Sequence, residues 1–321
     1  MRCISLLAVV FIFLLGACKK TNLSGPADQT LQQYFNGAAH YSLFNHALQK
    51  THLDSLLGGT NPYTVFAAND SAMTRAGYTT AGIDSANTAT LTGILLYHLV
   101  PGAIASTDID LYQETFWTTA DSSYPAYLEY NNFGFFYDGI PVVSEDNRMV
   151  NGIVQGIGSI ARPPVGDMVT TINKTPALSD FSYVLAMAEN VYNAGGYYNT
   201  VDPFASGTAT SPISVFLPDN SYYAAQGLDS YTAIAQSNGG GPEAFMTAGS
   251  LFTSDFIGKN AITLYYGTQA LQTQLWFSID GYSFVVESPG YMTLDISTPC
   301  RIVQANIVTT TGIIHIIEPN N

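Results

Sequence analysis

Three short patterns occur twice in this chain, in the same order, and this repetition constrains the fold more than any other feature. Phe44-Asn45-His46-Ala47-Leu48 has a counterpart in Phe181-Ser182-Tyr183-Val184-Leu185. Thr64-Val65-Phe66-Ala67-Ala68-Asn69-Asp70 parallels Ser214-Val215-Phe216-Leu217-Pro218-Asp219-Asn220. Asn151-Gly152-Ile153-Val154-Gln155-Gly156-Ile157 parallels Thr311-Gly312-Ile313-Ile314-His315-Ile316-Ile317. The pairs lie 137, 150 and 160 residues apart, so the second copy carries insertions. One insertion is assigned to the Gly/Tyr/Asn/Ser-rich stretch from Asn193 to Pro212. A 321-residue chain with a repeat of this size is read as two domains. Arg162-Pro163-Pro164 ends regular structure, which puts the boundary near Pro164: residues 30–164, then 165–321.

Each repeat reads as α+β. Thr64 to Ala67 is β-branched and aromatic, a short strand. Asn69 or Asp70 then offers a side-chain oxygen to the free N–H groups of a starting helix, and Asp219-Asn220-Ser221 repeats that junction. Thr90 to Val100 reads as a helix or as a helix running into a strand. Tyr127 to Tyr137, Ile140 to Val143 and Ile153 to Ile160 read as strands, with turns at Gly134, Asp138-Gly139 and Asn151-Gly152. Tyr282 to Glu287, Met292 to Ile296 and Ile302 to Val308 are their counterparts. Helices early and strands late give an α+β unit.

Hydrophobic residues are 47% and charged residues 11%, which excludes intrinsic disorder. Ten Lys and Arg stand against 24 Asp and Glu, with no basic cluster beyond Lys19-Lys20, so nucleic acid is excluded as a partner. Cys3, Cys18 and Cys300 are too few and too scattered for a disulfide framework or a thiolate zinc site.

The first residues are an address. Arg2 precedes an apolar run from Ile4 to Leu15, too short to span a membrane but suited to a secretory signal. Leu15-Gly16-Ala17-Cys18 resembles a bacterial lipobox. That resemblance implies a signal peptide at 1–17, cleavage before Cys18, lipidation of Cys18, and a polar tether over 18–29. Acyl chains would hold the protein on a membrane. Lys19-Lys20 after the cysteine favours the outer membrane by analogy, with surface export open.

The repeats together resemble the fasciclin domain, an extracellular adhesion module. Thr64 to Met73 looks like that family's first motif, Leu96-Tyr97-His98-Leu99-Val100-Pro101-Gly102 its central Tyr-His motif, and Asn151 to Val154 with Ile157 its last. In the second copy Val215 to Asp219 and Gly312 to Ile317 match the first and last motifs. There Leu251 to Phe256 occupies the central position without Tyr-His, a degenerate copy. The resemblance implies two fasciclin-like domains, each a β-sheet wedge or sandwich core with helices around it. With the lipobox, the chain is similar to secreted fasciclin-like lipoproteins of Bacteroidetes-type bacteria. The implied function is non-catalytic adhesion, at the outer membrane or cell surface, to an extracellular or envelope protein or polysaccharide. Glycan capture for nutrient uptake, a periplasm-facing structural role and an extracellular hydrolase are the alternatives.

Tyr97 and His98 are the adhesion-motif candidates by resemblance; with Ile94, Leu95, Leu96, Leu99 and Val100 around them, packing is the competing role. His40, His46 and His52 are spaced by six, which does not stack them on one helical face. Asp108, Asp110 and Glu114, and Glu145-Asp146-Asn147, lack calcium-loop spacing and read as solvated loops. Gly156-Ile157-Gly158-Ser159-Ile160-Ala161 imitates a dinucleotide fingerprint, but the prolines that follow block the required helix. No catalytic residue, metal or cofactor is assigned. Cys300 is read as a structural thiol. His315 lies in an apolar strand run, as a core or edge residue. Tyr124, Tyr127, Tyr130, Phe133, Phe135, Phe136 and Tyr137 crowd one region, and Tyr197 and Tyr198 sit in the Gly-rich insertion. Aromatics with a polar tip suit recognition surfaces, which makes Tyr197 and Tyr198 ligand-contact candidates. Replacing both with Ala is expected to weaken ligand binding in a pull-down while leaving the melting temperature unchanged; unchanged binding would remove them.

Overall fold

The computed structural model describes residues 28–113, 115–193, 212–230, 232–233, 245–248, 250–257, 262–266, 269–277, 283–287 and 300–319. Cys18, Tyr197, Tyr198 and the strand expected over Met292 to Ile296 lie outside them.

The first repeat begins with helices α1 (Leu31–Gly37), α2 (Ser42–Lys50) and α3 (Asp54–Leu57), then strand β1 (Tyr63–Ala68). Helices α4 (Asp70–Arg75), α5 (Thr80–Ser85) and α6 (Thr88–Tyr97) follow. Side chains start these helices as the sequence requires. Thr30 closes a capping box with Gln33, Asn69 accepts from Ala72 N, and Asn87 accepts from Thr90 N. Strands β2 (Leu99–Pro101), β3 (Thr115–Thr118), β4 (Pro125–Asn131), β5 (Gly134–Tyr137), β6 (Ile140–Met149) and β7 (Gly152–Ile157) complete the unit. The sheet order is β2-β1-β7-β6-β5-β4-β3. Only β1 and β7 run parallel, from Tyr63 opposite Gly152 to Ala68 opposite Ile157. Helix residues Leu31, Phe35, Phe44 and Leu48 pack with Val65, Tyr97 and Val154 in one core.

The second repeat opens with α7 (Met168–Lys174) and α8 (Ser179–Asn193), then β8 (Ile213–Pro218) and α9 (Asn220–Ala225). Then come β9 (Phe245–Ala248), α10 (Thr253–Phe256), β10 (Ile262–Tyr266), β11 (Gln269–Phe277), β12 (Ser283–Glu287), β13 (Cys300–Thr309) and β14 (Gly312–Pro319). Its sheet order, β9-β8-β14-β13-β12-β11-β10, reproduces the first strand for strand, with β8 and β14 as the parallel pair. The irregularities also repeat. β6 slips register between Val142, Ser144 and Asn147, and β13 between Ile302, Gln304 and Ile307. Asp146 and Asn306, inside those bulges, have φ of 55° and 58°, a left-handed conformation that Asp and Asn tolerate best. The acidic stretch expected as a solvated loop at Glu145-Asp146-Asn147 is therefore strand, and Asp146 is buried. The fingerprint-like glycines belong to β7 and the turn after it, not to a helix start.

The two units meet through the outer side of β4 and β5. Tyr127 packs edge-on against Phe252, with ring centroids 5.1 Å apart, and its ring lies tilted 4.5 Å from that of Phe116. Tyr127 is half-buried and packs against the cluster of Phe252, Val308 and Ile313. The β5–β6 turn, Asp138-Gly139, reaches furthest: a Cβ on Gly139 (φ 70°) would lie 2.6 Å from both Asn306 Nδ2 and Phe252 Cβ. Of the crowded aromatics, Phe135, Phe136 and Tyr137 are core, whereas Phe133 is exposed. Gly139→Ala and Phe252→Ala are each expected to uncouple the units, so that one calorimetric transition becomes two; a single transition in both variants would show that the contact carries no coupling.

Candidate functional site

The Tyr-His segment ends α6. Tyr97 is fully buried, with its hydroxyl 3.3 Å from Pro125 O, and its carbonyl accepts from the Tyr137 hydroxyl. The His98 ring is buried against Phe44. Ala161 N–H donates to Nε2 at 3.2 Å, so Nε2 is the acceptor and the proton sits on Nδ1, donated to Ile94 O at 2.8 Å. Burial lowers the ring's pKa to about 4, so the imidazole is neutral. Its carbonyl accepts from Phe66 N–H. His98 thus ties the end of α6 to β1 and to the chain leaving β7. Both side chains are closed off from the surface. Any effect of the pair on adhesion runs through the strand and turn that they hold.

The second repeat corrects the expected placement of its central motif. Phe216 stands opposite Phe245 in β8–β9, so Phe245 takes the position of His98. Leu251 to Phe256 instead repeats Ile104 to Ile109, as a duplicated polar knot shows. In the first unit Thr64 Oγ1 accepts from Ile104 N (2.7 Å). Asp146 accepts from Ser106 N and Oγ (2.9 and 2.7 Å), and Gln155 bridges Asp146 N, Asp146 Oδ1 and Ile104 O (2.7, 2.8 and 3.3 Å). In the second unit Ser214 Oγ accepts from Leu251 N (2.7 Å), and Asn306 exchanges two 2.9 Å bonds with Thr253. His315 replaces Gln155, its Nδ1 accepting from Asn306 N (3.4 Å) and its Nε2 donating to Leu251 O (2.9 Å). Its ring stacks on Phe216, with centroids 5.0 Å apart, and burial lowers its pKa to about 4. Both ring nitrogens of both buried histidines are engaged, so neither ring is free to move a proton for a substrate.

One carboxyl is less well provided for. Asp138 Oδ1 accepts from Tyr127 N at 2.9 Å, while Oδ2 has no hydrogen-bond partner among the described residues. Burial pushes this carboxyl up to about 7. It lies in the turn against the second unit.

A groove does open on the first unit, where the β1–α4 junction faces the β6 bulge. Its volume is about 310 Å3, and His40, Tyr41, Asn69, Asp70, Ser71, Val143 and Ser144 line it. Asp70 is engaged already, accepting from Ser42 Oγ (2.7 Å) and Leu43 N (2.8 Å). Of the other histidines, His46 lies 3.0 Å from Asp84. Among the described residues no three His, Cys, Asp or Glu side chains gather as a metal site. Cys300 is buried. The sequence reading missed the groove and both knots, because their members are distant along the chain.

The titrations oppose one another. His98 and His315, lowered to about 4, contribute stability that is full above pH 6.5 and lost as pH falls through 4. Asp138, raised to about 7, contributes stability that is full below its unfolded value of 3.8 and lost as pH rises through 7. Two histidines outweigh one carboxyl where the windows overlap, so acidification from pH 6.5 to 4 lowers stability. His315→Gln, the residue of the first knot, is expected to make that loss shallower, and Asp138→Asn to make it steeper, in denaturant unfolding followed against pH. Gln155→Leu strips three bonds from a buried knot and is expected to cost about 1–3 kcal/mol or more.

Residues 39–163 match the family model of the fasciclin domain. Among solved structures the chain is similar to a FAS1 domain pair from the insect cell adhesion molecule fasciclin I, at 13% identity and a TM-score of 0.34, over 86% of this chain and 94% of that one. No curated protein sequence matches it. The first repeat, over residues 39–163, is therefore similar to the fasciclin domain, and the second repeats its sheet strand for strand.

Proposed function

We propose that this chain is a non-catalytic adhesion or binding protein of a bacterial cell envelope, held at the outer membrane by lipid on Cys18 and presenting two fasciclin-like units to a protein or polysaccharide. The observation that carries this reading is the fasciclin match over residues 39–163, because fasciclin domains are adhesion modules in general. The interior chemistry supports it. His98 and His315 are spent on holding strands, and the Asp138 carboxyl is enclosed in a turn. The anchor rests on the order of charge, apolar run, small pair and cysteine at the N-terminus. No helix among the described residues is long and apolar enough to cross a membrane. A lipid on Cys18 would supply the attachment instead.

Protease treatment of intact cells, with lysed cells as control, tests the orientation. Loss of the chain from intact cells is the expected result and places both units at the outer surface. Protection until lysis would make contact with other cells impossible and turn the search to an envelope partner. Cys18→Ala is expected to move the protein from the membrane fraction to the soluble one; a variant still in the membrane fraction would overturn the anchor.

A further inference from the structure

The fold is built twice, so each position of one unit has a control in the other. Tyr41 closes the short turn before α2 and corresponds to Leu178, which closes the turn before α8. Gly156 of β7 sits opposite Ala67 and Ser144, and Ile316 of β14 sits opposite Leu217 and Gln304, so Gly156 corresponds to Ile316. In the second unit both positions are aliphatic and buried. In the first, a tyrosine lies over a glycine in a fully buried strand. A Cβ on Gly156 would come 2.2 Å from the Tyr41 hydroxyl, so the glycine makes room for that oxygen.

Tyr41 is only 2% exposed as a residue, and what remains open of it faces the groove. The hydroxyl meets only the groove, and a glycine within a strand weakens it. Leu and Ile in the sister unit show that the fold does not need either. The hydroxyl forms part of the wall of the groove described above.

From these observations we infer that the groove over Tyr41 is a binding site for one ring of a neutral, hydroxyl-rich saccharide. The inference rests on the binding reading above and names its ligand class. Ser71, Ser144 and Asn69 line the groove with Tyr41, groups that both donate and accept. Exposed Val143 and the His40 ring, whose centroid is 4.4 Å from that of Tyr41, offer apolar faces for sugar C–H groups. The one charge in the lining, Asp70, already has both oxygens engaged, which leaves little for a cation. An anion would meet that carboxylate and a chain of net charge −14.

Saturation-transfer NMR on the full chain, with methyl glycosides of glucose, galactose, mannose and N-acetylglucosamine, tests the site. At least one is expected to bind, weakly as befits a single ring, and Tyr41→Phe is expected to reduce its affinity about tenfold. The same variant removes a single groove-facing oxygen and keeps the ring, so its melting temperature should hold, which separates lost recognition from lost folding. No transfer to any glycoside at tens of millimolar, or equal binding by Tyr41→Phe, would overturn the inference. Adhesion of beads coated with the chain distinguishes the two levels. If wild type and Tyr41→Phe beads adhere alike to bacterial cells, the binding reading stands and the groove falls. If no glycoside binds and no bead adheres, both fall.

Discussion

Each unit depends on a parallel pairing between its first and last strands. Neighbouring parallel strands cannot be joined by a tight turn. The chain must therefore leave β1 through α4 to α6 and return through the antiparallel run to β7. The strands so paired are buried along almost their whole length, and so read as near-continuous apolar runs. The polar residues inside them, Thr64 and Gln155 in one unit and Ser214 and His315 in the other, are the members of the two knots. Each knot ties the segment after the second strand to the bulge beside the last one. It thereby holds the return path at the place where a left-handed residue disrupts the ladder.

What was legible in the sequence was local. The alternation of strand and helix at Thr64 to Met73 follows from β-branched residues and one capping Asn, all within ten positions. The twofold plan was legible because strands buried on both sides keep their apolar pattern through duplication. Asp146 was misread as loop because its reason for being in a strand is Ser106 and Gln155, one of them forty residues away. Leu251 to Phe256 was misaligned because the short strand before it pairs through backbone, which side-chain identity does not report. The groove was invisible for the same reason. Tyr41 and Gly156 are unremarkable until the sheet sets one over the other.

The two copies show how a buried polar network tolerates exchange. Asp146 with Gln155 and Asn306 with His315 fill the same place with different donors and acceptors, and the backbone groups they satisfy stay the same. Such a network is held as a set, since one unmatched member leaves a buried group unpaired. The two buried histidines illustrate this by carrying their protons on opposite nitrogens, Nδ1 in His98 and Nε2 in His315, each dictated by which neighbour is a backbone N–H. The volume swap at Tyr41 and Gly156 lies outside the knot and leaves it intact.

The turn seated against Asn306 and Phe252 bears on how the pair would meet a many-site ligand. Modules strung on a loose linker sample many separations, and their joint hold on a polymer falls off with linker length. Here the junction is a packed contact, with Tyr127 set against the second unit. Two sites on such a pair keep one spacing. A polymer or lattice whose repeat matches that spacing gains the full effective concentration of the second site, and one that does not match gains none. Selectivity for the period of a ligand then arises from the seam between the units, apart from any contact within either.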